Sequence, residues 1–175
     1  MLSRSVLSLV ALAINILPHR SLAADATVQD MQIVGRALSF KNGQKKGAIT
    51  LAVVYAGASE QSNAEMQAAV AISRNGLKVG DNLLRIVPVE QSQLSSASGY
   101  DGVFSVGGVD QERLRKALNR SGTPCFTLEA AQVKGGACTV AVRSRPAVSI
   151  SINSGNAAAT GVGFATAFIM MVREI

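Results

Sequence analysis

The segment Ile49-Thr50-Leu51-Ala52-Val53-Val54-Tyr55 is apolar without interruption after Thr50. A strand with one wet face alternates polar and apolar residues. A strand that does not alternate must be covered on both faces, and helices packed on a parallel sheet cover it that way. The run therefore predicts a central, parallel strand, and the remaining segments read as its neighbours. Ala26–Phe40 has helical spacing through Met31, Val34 and Leu38, and the polar loop Lys41–Gly47 follows it. Ser62-Asn63-Ala64-Glu65 has capping-box form and predicts a helix running to about Asn75, with Gly76 as its stop. Leu84–Val89 and Gly102–Val106 read as strands, and Pro88 places the end of the first near an edge. Asp110 is a helix cap with Val109 and Leu114 at staple positions, and that helix ends near Arg120. Cys125–Leu128 is a fourth strand. Ala137–Val142 and Ala147–Asn153 form a hairpin, and Ala157–Ile175 reads as one last helix with Phe164, Phe168, Met171 and Ile175 along a stripe. The expected fold class is α/β: a single domain, a mostly parallel sheet flanked by helices, a C-terminal antiparallel hairpin and a closing helix.

The N-terminus reads differently from everything after it. Arg4 precedes an uncharged, mostly apolar run from Val6 to Leu17, and Ser21-Leu22-Ala23-Ala24 supplies the small residues a signal peptidase needs. The run is about 12 residues, short of the roughly 20 that span a bilayer. Residues 1–23 are therefore expected to be a cleaved signal peptide and 24–175 the working domain, with cleavage after Ala24 the near alternative and a membrane anchor the rival. The chain is expected to be exported. The uncharged stretch from Ala147 to Val172 raises a second membrane reading, but its serines and asparagines break the run.

Removal of the signal has a chemical consequence. His19 is the only histidine, so the mature domain has none, and it has no tryptophan. Ser-His-Asp and Cys-His catalysis and every histidine metal site are excluded for it. The eleven carboxylates include no pair that the sequence itself places together, as hydrolytic acid–base work requires. No enzyme, metal or cofactor is expected. The domain keeps 15 basic and 11 acidic side chains, a mild excess that suits acidic partners or anionic surfaces rather than nucleic acid.

Cys125 and Cys138 are the only thiols. In an oxidising compartment an even count suggests a bridge, worth roughly 3 kcal/mol for so short a loop. Two separate buried cysteines are the other reading. Two glycine-bearing loops follow strands, one from Ala56 to Ser59 and one at Gly107-Gly108. Neither has a nucleotide-binding spacing, but Tyr55, Ser59, Gly107 and Gly108 would stand at strand ends, where α/β sheets bind ligands. Turn chemistry also accounts for the glycines. Arg113, Arg115, Lys116 and Arg120 give one helix a basic character, either as a solvated face or as a docking face for an acidic partner.

The C-terminal third carries a family pattern. Ile152-Asn153 ends a strand, Ala157 and Ala158 open a helix, and Gly161-Val162 follow, with Gly135-Gly136 opening the preceding strand. In this the chain resembles the YfiR-like family of small periplasmic proteins. It departs from the family where Ala37-Leu38-Ser39-Phe40 replaces an aromatic stretch ending in Trp-Pro. The resemblance implies a periplasmic regulator that binds the periplasmic part of an inner-membrane diguanylate cyclase and represses it, so that cyclic-di-GMP and biofilm formation respond to its release. A homodimer is compatible with this. The alternative is a periplasmic small-solute binding protein associated with a transporter.

Overall fold

The computed structural model describes residues 25–175. The expected signal peptide, 1–23, lies outside the described residues. The chain runs α1 (Val28–Ser39), β1 (Ala48–Tyr55), α2 (Glu60–Ile72), β2 (Leu77–Val79), β3 (Asn82–Glu90), β4 (Gly102–Ser105), α3 (Gln111–Leu118), β5 (Cys125–Thr127), α4 (Ala130–Lys134), β6 (Val140–Arg143), β7 (Ser149–Ile152), α5 (Ser154–Thr160), α6 (Thr166–Met171) and β8 (Arg173–Glu174).

These strands form one sheet in the order β2-β3-β1-β4-β5-β6-β7-β8. The five strands from β3 to β6 are mutually parallel, β6 and β7 form the expected antiparallel hairpin, and β2 is antiparallel to β3. The α/β class read from the sequence is the observed one. β1 lies near the middle, with Ile49, Leu51, Ala52, Val53 and Val54 all fully buried, as its unbroken apolar run requires. Phe104 from β4 and Phe126 from β5 extend the same core. Pro88 sits beyond the reach of β2, on the part of β3 with no outer strand partner among the described residues, an edge position that tolerates proline.

Several boundaries differ from the sequence reading. The helix after β1 begins earlier: Ser59, not Ser62, is its cap, and Ser59 Oγ accepts the Ser62 N–H at 3.2 Å. Ser62 is buried inside the first turn, where its hydroxyl accepts the Ala56 N–H at 2.9 Å. The same helix ends at Ile72 rather than Asn75, and α3 ends at Leu118 rather than Arg120. The β2–β3 hairpin was not expected. Its signal was present, because Gly80-Asp81 is a two-residue turn between Val79 and Asn82.

The largest correction is at the C-terminus. The expected single helix from Ala157 to Ile175 is two short helices and a strand. Gly161 takes a left-handed φ of 73°, which stops α5. The chain then pairs with the residues after α1: the Asn42 N–H donates to Gly163 O at 2.9 Å and the Ala165 N–H to Phe40 O at 2.8 Å. Phe168 packs on Phe40 and Phe164, with ring centroids 5.7 and 4.9 Å apart. Phe164 and Phe168 are thus buried as the stripe predicts, but Met171 is exposed and β8 pairs in parallel with β7. No helix among the described residues is long and apolar enough to cross a membrane.

Candidate functional site

The strand order fixes where a site can form. From β1 the chain moves to one side for β3 and to the other for β4. The loops after β1 and β4 therefore part at the C-terminal edge of the sheet, where open α/β folds bind ligands. Ser59, Gly107 and Gly108 meet there: a side chain built on Gly108, whose φ is +76°, would stand 3.7 Å from Ser59 Oγ. Tyr55 closes β1, half-buried, and does not line the adjoining cavity.

That cavity has a volume of about 60 Å³ and is lined by Glu65, Ser105, Gly107, Thr127 and Glu129 among others. It has room for a few waters or one small polar group. Ser105 and Thr127 are register partners on neighbouring parallel strands, so both hydroxyls lie on one face of the sheet. Glu65 reaches in from α2 and is buried; its Oε2 accepts the Gly107 N–H at 2.7 Å and its Oε1 accepts the Gln61 side-chain amide at 3.0 Å. Glu129, exposed at the start of α4, accepts from the Gln132 side-chain amide at 3.0 Å. Both carboxylates flank the same glycine: a Cβ on Gly107 would lie 2.9 Å from Glu129 Oε1 and 3.1 Å from Glu65 Oε1. Ser105, 1% exposed, has no hydrogen-bond partner for its hydroxyl among the described residues. The sequence reading found the two glycines but not these two carboxylates, which come from helices far apart in the chain.

The cysteine pair stands beside this wall. Cys125 opens β5 and Cys138 precedes β6, its parallel neighbour. Their sulfurs are at disulfide distance and the Cα atoms are 4.5 Å apart. The loop they close carries Thr127, Leu128 and Glu129.

The family-pattern residues turn out to build a helix from cap to cap. Ile152 is buried in β7. Asn153 caps α5 by accepting the Asn156 N–H at 3.0 Å, and its amide donates to Val133 O at 2.9 Å. Ala157 and Val162 are buried on either side of Gly161, and the Val162 N–H donates back to Ala157 O at 2.9 Å. Asn156 donates to Cys138 O at 2.7 Å, which ties this module to the bridged loop.

The basic residues are divided among separate tasks. Arg115 donates to Gly136 O at 3.0 Å, Lys116 pairs with Glu112 at 2.9 Å, and Arg120 lies beyond the helix with a φ of 51°. Arg113 stays exposed on α3.

No family model and no curated protein matches the chain. Two of the solved structures similar to it illustrate the likeness. One is an ABC domain in complex with L-Trp from Streptococcus pneumonia, at a TM-score of 0.59 and 10% identity, covering 85% of this chain and 61% of that one. The other is a conserved domain protein from Vibrio cholerae, at 0.53 and 12%, covering 84% and 59%. The likeness is one of fold. This chain spans about three fifths of either structure's length.

Proposed function

We propose that the chain is a periplasmic regulatory domain that works by binding another protein, the periplasmic part of a membrane-bound diguanylate cyclase, which it holds inactive. The observation that carries this reading is the apolar surface of α6. Ile169, Met170 and Met171 are 40, 82 and 65% exposed, consecutive on a helix anchored by Phe168. Clustered exposed apolar side chains mark interaction surfaces, and methionine adapts to the shape of a partner. The Cys125–Cys138 pair suits an oxidising compartment. The nature of the partner rests on the YfiR-like pattern around Ile152-Asn153 and Gly161-Val162. Co-purification from the cell envelope with a membrane cyclase is the expected result, and deletion should raise cyclic-di-GMP and biofilm. Unchanged levels after deletion would end this reading.

A second reading, a small-solute binding protein serving a transporter, is supported by the cavity at the strand ends. Its small volume admits one polar group rather than an enclosed solute. A thermal-shift screen in which no solute raises the melting temperature would remove it.

A further inference from the structure

We infer that the cavity between Glu65 and Glu129 is a binding site for the cationic head of a small primary alkylamine. Three independent observations converge on it. The first is charge. Glu65 and Glu129 face the space above Gly107, and neither has a cationic side chain within ion-pair distance among the described residues. The ion pairs found there, Lys46–Asp81 and Lys116–Glu112, lie elsewhere. The second is the unpartnered hydroxyl of Ser105. It lines the same cavity, 1% exposed, and a buried hydroxyl without a partner is a group that a ligand can satisfy. The third is shape. Gly107 lets both carboxylates approach the backbone: a Cβ there would lie 2.9 Å from Glu129 Oε1 and 3.1 and 3.2 Å from the two Glu65 oxygens, so any side chain would crowd them apart.

An alkylammonium matches this arrangement in number and kind. It carries three N–H donors, and the site offers two carboxylates and a hydroxyl oxygen as acceptors. A volume of about 60 Å³ accepts the head and its first carbon, so the rest of the molecule lies outside, past the exposed Glu129. A zwitterionic amino acid fits less well, because its own carboxylate would be held close to two others. A divalent metal fits less well too, since no three carboxylate, thiol or imidazole side chains converge among the described residues. The inference is independent of the cyclase reading, because it requires no partner protein.

Calorimetric titration of the full mature chain with putrescine, and separately with glycine and with Mg²⁺, tests it. Saturable binding of putrescine is expected, weakening as salt rises. Glu65→Gln and Glu129→Gln should each weaken it about 10- to 100-fold, the loss of one charge-assisted hydrogen bond. Glu65→Gln keeps an oxygen for the buried Gly107 N–H, and the donor that loses its acceptor is the amide of exposed Gln61, which can turn to water. Gly107→Ala should abolish binding without removing a charge. Ser105→Ala should weaken binding while leaving the free protein as stable or more so, which a merely structural serine would not do. Absence of putrescine binding to folded protein overturns the proposal. So do equal affinity in the Glu65→Gln/Glu129→Gln double variant, and binding of Mg²⁺ or glycine in preference to putrescine.

Discussion

Asp30 and Ser144 stand 114 residues apart in sequence, and the Ser144 N–H donates to Asp30 Oδ1 at 2.9 Å. The other carboxylate oxygen accepts the Thr27 N–H at 2.9 Å and its hydroxyl at 2.6 Å, closing the capping box of α1. One buried side chain thus starts the first helix and pins it to the turn between β6 and β7. Asp30→Asn keeps the shape but places an amide where an acceptor is needed. It should cost about 2 kcal/mol of stability, the loss of one charge-assisted bond from a buried site. Urea unfolding at neutral pH measures this.

The same group sets a pH dependence. Burial alone would raise the Asp30 carboxyl, but the hydrogen bonds from Thr27 and Ser144 outweigh it and hold the group below its ordinary value. A carboxyl lowered in the folded state stabilises above its unfolded pKa, and that contribution fades as pH falls through the folded one. Wild type and Asp30→Asn should therefore differ at pH 7, begin to converge as pH falls below about 4, the unfolded value, and meet only below the lowered folded one. Unfolding curves from pH 2 to 7 check it, and a gap that persists at low pH would assign the effect to packing instead.

The Cys125–Cys138 bridge closes a short loop that holds α4 and the Glu129 side of the cavity. Reduction should lower stability by about 3 kcal/mol, or roughly 6–12 °C in melting temperature for a domain of this size. Both cysteines are fully buried, so alkylation should require unfolding as well as reductant. Intact mass with and without reductant should differ by two hydrogens. Full alkylation of native protein without reductant would count against the bridge.

Gly161 makes a separate, conformational prediction. At its φ of 73° an alanine Cβ crowds the backbone, so Gly161→Ala should cost about 1–2 kcal/mol. Gly161→Asn should cost less, because asparagine tolerates the left-handed region. Melting temperatures of the two variants decide it, and equal values would mean that strain is not what the glycine relieves. The outcome bears on how the family pattern is understood: Asn153 and Gly161 would be conformational devices that build α5, not partner contacts.

What was legible in the sequence follows from how local each signal is. β1 could be read because burial on both faces leaves an unbroken apolar run, and α3 because Asp110 accepts the N–H groups of Glu112 and Arg113 within its own turn. The break at Gly161 was missed because the residues that replace the helical bonds, Phe40 to Asn42, lie at the other end of the chain. Glu65 was misassigned for the same reason. Its spacing from Ser62 looks like a cap, but the carboxylate turns inward to Gly107, a partner 42 residues away that no local pattern encodes. The candidate cavity is therefore the least legible part of the molecule: its two carboxylates come from separate helices and meet only once the sheet is assembled.

The exposed surface of α6 gives the last test. Met170→Lys with Met171→Gln replaces two exposed methionines by residues that favour helix equally well. Away from the core such changes alter stability by about 0.5 kcal/mol or less, so the melting temperature should hold. If these side chains form the docking surface, removing two adapted apolar contacts should weaken partner capture at least tenfold, since central interface positions carry about 2 kcal/mol or more. In cells the double variant should then behave like the deletion, with raised cyclic-di-GMP and biofilm at normal protein level. Normal repression by a stably folded double variant would move the docking surface away from α6, while leaving the resemblance around Ile152 and Asn153 untouched.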